Sequence, residues 1–135
     1  MTVVIDASVA VRWFINVPGS EKAYRLIKDE HRIIAPDLVI AETASALWKA
    51  VRFAGLEPAT ATEAIAGAGA AFDELVSALT LADRALAIAL DLHHPVYDCF
   101  YLALAQARGS RLVTADDRLL RVCTRTRFAK LVRSL

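Results

Sequence analysis

Four acidic residues, Asp6, Glu42, Asp98 and Asp116, are the part of this sequence best suited to chemistry. Val3-Val4-Ile5 is a β-branched run that ends on Asp6, and Arg111-Leu112-Val113-Thr114 is a second such run with Asp116 two residues beyond it. Parallel strands made from these runs would project both acids from the same sheet edge. Glu42 lies one helical turn after Leu38 and one before Ala46, on a stripe otherwise made of packing residues, so its charge needs a partner. Asp98 precedes Tyr101, Leu102 and Ala105 at helical spacing, which turns it inward near a helix start whose dipole favours the ionised form. Carboxylates gathered in this way repel one another and either hold protons or recruit a cation. Oxygen-only ligands suit Mg2+, with Mn2+ as a substitute, whereas zinc calls for His or Cys. A hard cation of this kind stabilises charge on a phosphoryl oxygen and acidifies water, so phosphodiester hydrolysis is the natural reaction.

Several neighbours have both a functional and an ordinary reading. Ser8 and Thr114 carry hydroxyls within two residues of Asp6 and Asp116, where they can orient a carboxylate or simply bond a turn. Asp117 competes with Asp116 as the working acid after Thr114. Arg12, Arg118 and Arg121 offer bidentate contacts to phosphates. His93-His94 precedes Pro95 and reads as a helix end whose cations suit the dipole, in preference to a general base. Trp13, Trp48 and Tyr101 read as core or interface ahead of base-stacking platforms. Even the acids have plain alternatives: Asp6 as a strand end, Asp98 as a helix start, Asp116 as the opening of a turn. Cys99 and Cys123 are too far apart for a zinc or redox motif and read as free thiols of a reducing compartment.

The elements that would position these groups alternate between strand and helix. Val3-Val4-Ile5 is the first strand; Ser20 caps a helix with Ala23, Tyr24 and Ile27 on its apolar positions. Arg32-Ile33-Ile34-Ala35 is the second strand, and Pro36 opens a long helix through Leu38, Val39, Glu42, Ala46 and Phe53 that Gly55 stops. Residues 59–74 are read as an Ala-rich helix, residues 76–80 as a third strand, and 82–92 and 97–108 as helices separated at Pro95. After Gly109 come the Arg111 to Thr114 strand, a helix over residues 117–122, and a closing strand over 131–134. This order predicts an α/β fold: three α/β/α layers around a mostly parallel five-stranded sheet, with ligands beyond the carboxyl ends of its strands.

With 135 residues, 56% of them apolar, the chain is expected to form a single domain over residues 1–135. No apolar run reaches the roughly 18 residues of a membrane span, and the start meets Asp6 too soon for a secretory signal, so a cytoplasmic protein is expected. Net charge is +1, but residues 108–135 hold eight Lys/Arg against two Asp, behind an acidic body. That asymmetry suits nucleic-acid contact and equally suits a solvated basic helix.

Val4-Ile5-Asp6-Ala7-Ser8-Val9, Pro36-Asp37-Leu38 with Glu42, Tyr97-Asp98-Cys99-Phe100-Tyr101-Leu102-Ala103-Leu104-Ala105, and Leu112-Val113-Thr114-Ala115-Asp116 together resemble PIN-domain ribonucleases, and among them VapC-type toxins. The resemblance runs in order through essentially the whole chain; Cys99 departs from it, standing where the family commonly has Ala. It implies a Rossmann-like PIN fold, Mg2+ held by Asp6, Glu42, Asp98 and Asp116, and RNA as substrate. It also implies a cognate VapB-like antitoxin as partner and a homodimer. Two other classes remain open at this stage: a phosphoacyl phosphatase, which would want a second Asp where Ser8 stands, and an RNA- or partner-binding domain without catalysis.

Overall fold

The β-branched runs do form strands, and all of them pair in parallel. The computed structural model describes residues 1–29 and 31–135. It contains β1 (Thr2–Ile5), β2 (Arg32–Pro36), β3 (Glu74–Val76), β4 (Arg111–Thr114) and β5 (Val132–Ser134), in the order β3-β2-β1-β4-β5. β1 lies at the centre, with Val4 opposite Ile34 on one side and Leu112 on the other. Val3, Val4 and Ile5 are buried, as a strand covered on both faces requires.

Parallel neighbours need crossovers, and helices supply them. They are α1 (Ala7–Ala10), α2 (Ser20–Lys28), α3 (Leu38–Ala54), α4 (Pro58–Gly67), α5 (Ala78–Leu92), α6 (Val96–Arg108) and α7 (Asp117–Cys123). α6 packs across β1, β2 and β4 and against α5, and it buries every residue from Tyr101 to Ala105, so it is a central helix rather than an amphipathic surface one. The chain builds outward from β1 through β2 to β3, then returns to lay β4 and β5 on the other side. The strand order therefore reverses between β1 and β4, and the crevice above that point is where open α/β sheets bind ligands. Asp6 follows the carboxyl end of β1 and Asp116 stands two residues beyond that of its parallel neighbour β4, each at the N-cap of a helix.

The structure corrects several local expectations. The third strand is Glu74–Val76, not residues 76–80; residues 78–80 are instead the first turn of α5. Asp37 decides this, because its backbone N–H donates to Val76 O at 2.8 Å and its Oδ1 accepts from Ala78 N at 3.0 Å, ending the strand there. Glu74 joins the sheet, where Arg108 binds it with two N–H groups and Arg32 with one. The Ala-rich helix stops at Gly67 and gives way to a 3-10 turn, Ala68–Ala71, so the two-glycine stretch breaks the helix. Pro36 closes β2 instead of opening α3. Gly19, at φ 95, takes the N-cap position before α2, and the Ser20 hydroxyl turns back to bond Ile15 O and Val17 N. On α2 the buried apolar positions are Ala23 and Leu26, while Tyr24 and Ile27 are exposed. A short element that the sequence reading lacked, α1 with a 3-10 turn at Val11–Trp13, follows Asp6 directly. Trp13 and Tyr101 take the core alternative of their reading, whereas Trp48 is 60% exposed and lies outside the core.

Candidate active site

The carboxyl end of β1 leaves Asp6 at the mouth of the sheet, where its side chain is 5% exposed. Both of its oxygens are fixed. Ser8 Oγ donates to Oδ1 at 2.5 Å, Val9 N donates to the same oxygen at 3.2 Å, and Thr114 Oγ1 donates to Oδ2. The same hydroxyls accept from the loop after β4: Ala115 N donates to Ser8 Oγ at 2.9 Å, and Asp116 N to Thr114 Oγ1 at 3.0 Å. Ser8 and Thr114 thus bond both the Asp6 carboxylate and the turn after β4. Burial, the largest cause, pushes the Asp6 carboxyl from the ordinary 3.8 up to about 6. The bonds from Ser8, Thr114 and Val9 pull it back, and the charge of Asp98 adds a further push upward.

Glu42 sits on α3, one turn after the buried Val39 and beside the buried Thr43, which turns it half inward. Its partner is Tyr101, whose hydroxyl donates to Oε1 at 2.5 Å. Burial raises the Glu42 carboxyl above its ordinary range, the Tyr101 bond opposes this, and Asp98 adds repulsion. Burial and the neighbouring Glu42 push the Tyr101 phenol far upward, so it remains a donor. Asp98, half-buried in the first turn of α6, has one bonded oxygen: Oδ2 lies 2.6 Å from His94 Nε2. Asp6, Glu42 and Asp98 therefore share one field, and Asp98 raises the other two.

Asp116 stands farther out. It caps α7, Oδ1 accepting from Arg118 N at 2.9 Å and Leu119 N at 3.3 Å, and it touches the cluster through the Thr114 hydroxyl. Asp117 is exposed on the next position. Arg118 and Arg121 are exposed on α7. Arg12 is half-buried and ties loops instead: Nε donates to Pro18 O at 3.0 Å and Nη1 to Ser8 O. His93 takes a left-handed conformation as the C-cap of α5, in line with the helix-end reading, but His94 turns to Asp98. Sequence reading missed Tyr101 and His94 as partners of acids. The signal for His94 was present, since it lies one helical turn before Asp98. For Glu42 and Tyr101, 59 residues apart, there was no local signal.

Among the described residues no Lys or Arg pairs with any of these four acids. Nor do three Asp, Glu, His or Cys side chains converge closely enough there to enclose an ion. In donor type and charge the set still fits a hard divalent cation: no Lys or Arg offsets its charge among the described residues, and Asp6 and Glu42 bind protons more readily than free acids do. Two clefts of about 250 Å3 flank Glu42. One is lined by Ala7, Ser8, Ser45 and Lys49, the other by Leu38, Ala41, Ser45 and Tyr97. Cys99 and Cys123 are buried thiols, held up at about 12 and about 11 chiefly by burial, and take no part.

Comparison with known proteins places this geometry in a family. The chain is 31% identical to Ribonuclease VapC3 of Pyrobaculum aerophilum over 121 residues, 88% of this chain and 92% of that protein. Its fold is similar to the crystal structure of PAE2754 from Pyrobaculum aerophilum, with TM-score 0.70, 25% identity, and coverage of 98% of this chain and 83% of the other. It is also similar in fold to VapBC2 from Rickettsia felis, solved bound to a DNA fragment from their promoter, with TM-score 0.67, 13% identity, and coverage of 100% and 99%. The model of the PIN domain family matches residues 3–124, from within β1 to the end of α7, and the chain belongs to that family.

Proposed function

We propose that the protein is a divalent-metal-dependent endoribonuclease, the VapC-type toxin of a toxin–antitoxin pair. The observation that carries this reading is Asp6, an acid buried at the reversal point of the sheet beside Asp98, where a packing role would favour an apolar residue. Ionisable groups held against their preferred state in a crevice mark working sites more often than structural ones. The kinship with Ribonuclease VapC3 supports RNA as substrate; a VapB-like antitoxin as partner and a cytoplasmic place of action belong to the proposal. A homodimer is part of the same reading.

In this reading Asp6, Glu42 and Asp98 hold Mg2+, or Mn2+ in its place, with Asp116 at the rim and Asp117 as its exposed neighbour. The bound ion supplies Lewis-acid stabilisation of charge on the phosphoryl group and makes water a better nucleophile. The protein's own groups do the positioning. Ser8 and Thr114 keep Asp6 in one orientation, Tyr101 does the same for Glu42, and the exposed Arg118 and Arg121 bind phosphates of the RNA strand. Arg12 is tied to the Ser8 and Pro18 carbonyls, next in sequence to the acid-holding turn, and is a further candidate for a phosphate contact.

The test is cleavage of RNA by the full chain with added Mg2+ or Mn2+. Activity lost both in chelator and in Asp6→Asn supports the proposal. Activity indifferent to both overturns it, and RNA binding without metal-stimulated turnover favours a non-catalytic binding domain.

A further inference from the structure

Three acids of the cluster have a dedicated hydrogen-bond partner. For Asp6 it is a pair of hydroxyls and for Glu42 a phenol; for Asp98 it is an imidazole. His94 belongs to the three-residue link between α5 and α6, whose course depends on His93 at φ 52, ψ 45, a left-handed conformation uncommon for a residue with a Cβ. The link is held by His94 N donating to Ala89 O at 3.2 Å, and it brings the His94 ring inward until only 3% of the side chain is exposed. Nε2 then meets Asp98 Oδ2 at 2.6 Å, one helical turn ahead of it. Among the described residues Asp98 Oδ1 has no hydrogen-bond partner, so the ring commits one oxygen of this carboxylate and leaves the other.

We propose that His94 is a positioning residue for Asp98: its Nε2–H donates to Oδ2 and fixes the carboxylate so that Oδ1 remains available to a hard divalent cation. The inference rests on Asp98 acting as a ligand, as proposed above. Carboxylates that bind metals are commonly held by such outer donors, and removing the donor weakens binding without removing a ligand. The competing role is that of a wedge, in which the ring merely fills the corner between α5 and α6. A wedge would affect the stability of the metal-free protein, not its affinity for an ion.

The experiment measures Mn2+ binding to the full chain by the electron paramagnetic resonance of free Mn2+, alongside RNA cleavage and the melting temperature in chelator. The variants are His94→Leu, His94→Gln and His94→Asn. A Gln side chain carries an N–H to about the place of Nε2, whereas that of Asn falls short of it. His94→Leu and His94→Asn are expected to weaken Mn2+ binding by about 10- to 100-fold. Cleavage by both should recover as Mn2+ is raised, and His94→Gln should keep most of the affinity. Wild-type Mn2+ affinity in His94→Leu or His94→Asn overturns the proposal. So does equal weakening in all three variants, because the N–H that His94→Gln keeps would then make no difference to the ion. Should His94→Leu fail to fold, the contrast between the Gln and Asn variants decides alone. A wild-type protein that neither binds Mn2+ nor cleaves RNA overturns the nuclease reading and this inference with it. A wild type that cleaves, with unaltered His94 variants, overturns this inference only.

Discussion

Replacing Asp6 with Asn should make the metal-free protein more stable at pH 8 and less stable at pH 4. The carboxyl is raised from 3.8 to about 6 in the folded state, chiefly by burial. A folded-state value above the unfolded one means that the folded protein binds the proton more tightly. The resulting stability is complete below pH 3.8, fades as the pH rises through about 6, and is absent above it. At about 1.4 kcal/mol for each tenfold change in proton affinity, the swing is about 3 kcal/mol. Asn does not titrate, so its variant escapes this swing. It has its own pH-independent penalty, because the site presents three donors and the amide NH2 replaces one acceptor oxygen. The Ser8 and Thr114 hydroxyls can rotate to accept, which holds that penalty to about 1 kcal/mol. The Asp6→Asn variant should therefore lose about 1 kcal/mol near pH 4 and gain about 2 kcal/mol at pH 8, roughly 8 °C in melting temperature at this chain length. Thermal unfolding of both proteins in chelator, from pH 4 to 8, gives the difference curve directly. Parallel curves, or an Asn variant less stable at pH 8, would refute the claim that burial of the ionised acid is what Asp6 imposes on the fold.

Thr114→Val, nearly isosteric at a fully buried position, removes a donor to Asp6 Oδ2 and the acceptor for Asp116 N. It should destabilise the protein by about 2 kcal/mol at pH 8 by urea denaturation. Because this bond lowers the Asp6 carboxyl, its loss should also move the acidic limb of the activity profile to higher pH, and an unmoved limb would argue against the coupling. Tyr101→Phe deletes the donor to Glu42 Oε1. That bond favours the ionised acid, so the stability it adds is present above the Glu42 titration and lost as the pH falls through it. The variant should be weaker by about 1 kcal/mol at pH 8, a figure discounted for the half-exposed carboxyl, and should converge on wild type in acid. A deficit unchanged between pH 8 and pH 4 would instead point to packing.

The elements legible in the sequence were those with one dominant physical signal. β1 and β4 read correctly because each is a short apolar run rich in β-branched residues with a breaker or an acid close to its end. Gly55 and Gly109 ended α3 and α6 as expected, at φ 73 and φ 60, where a side chain is strained. Errors gathered where local signals competed. Leu75 to Thr80 is short, apolar and without helical period, so its state depended on a distant choice: Asp37, in the turn after β2, bonds Val76 and Ala78 and sets where the strand stops. Tyr24 and Ile27 were misplaced because a nine-residue helix leaves its buried face ambiguous by one position, and Ala23 with Leu26 claimed it.

The site divides along the same line. Its acids could be found because each breaks a local pattern, at a strand end or on an apolar helical stripe, and a charge in such a place is conspicuous. Their partners break no pattern. Tyr101 among buried α6 residues looks like core, Ser8 and Thr114 look like turn formers, and His94 before a proline looks like a helix end. Each of them is also that. Tyr101 is 1% exposed and packs; Ser8 and Thr114 hold the β4–α7 turn; His94 fills the α5–α6 corner. A donor that serves both the fold and an acid shows mainly the signal of its commoner duty, and only a short spacing, Ser8 two residues after Asp6 or His94 four before Asp98, hints at the other. What separates them is energetic. Removing a donor that only packs weakens the protein alike at every pH, whereas removing one that holds an ionised acid weakens it only where that acid is charged.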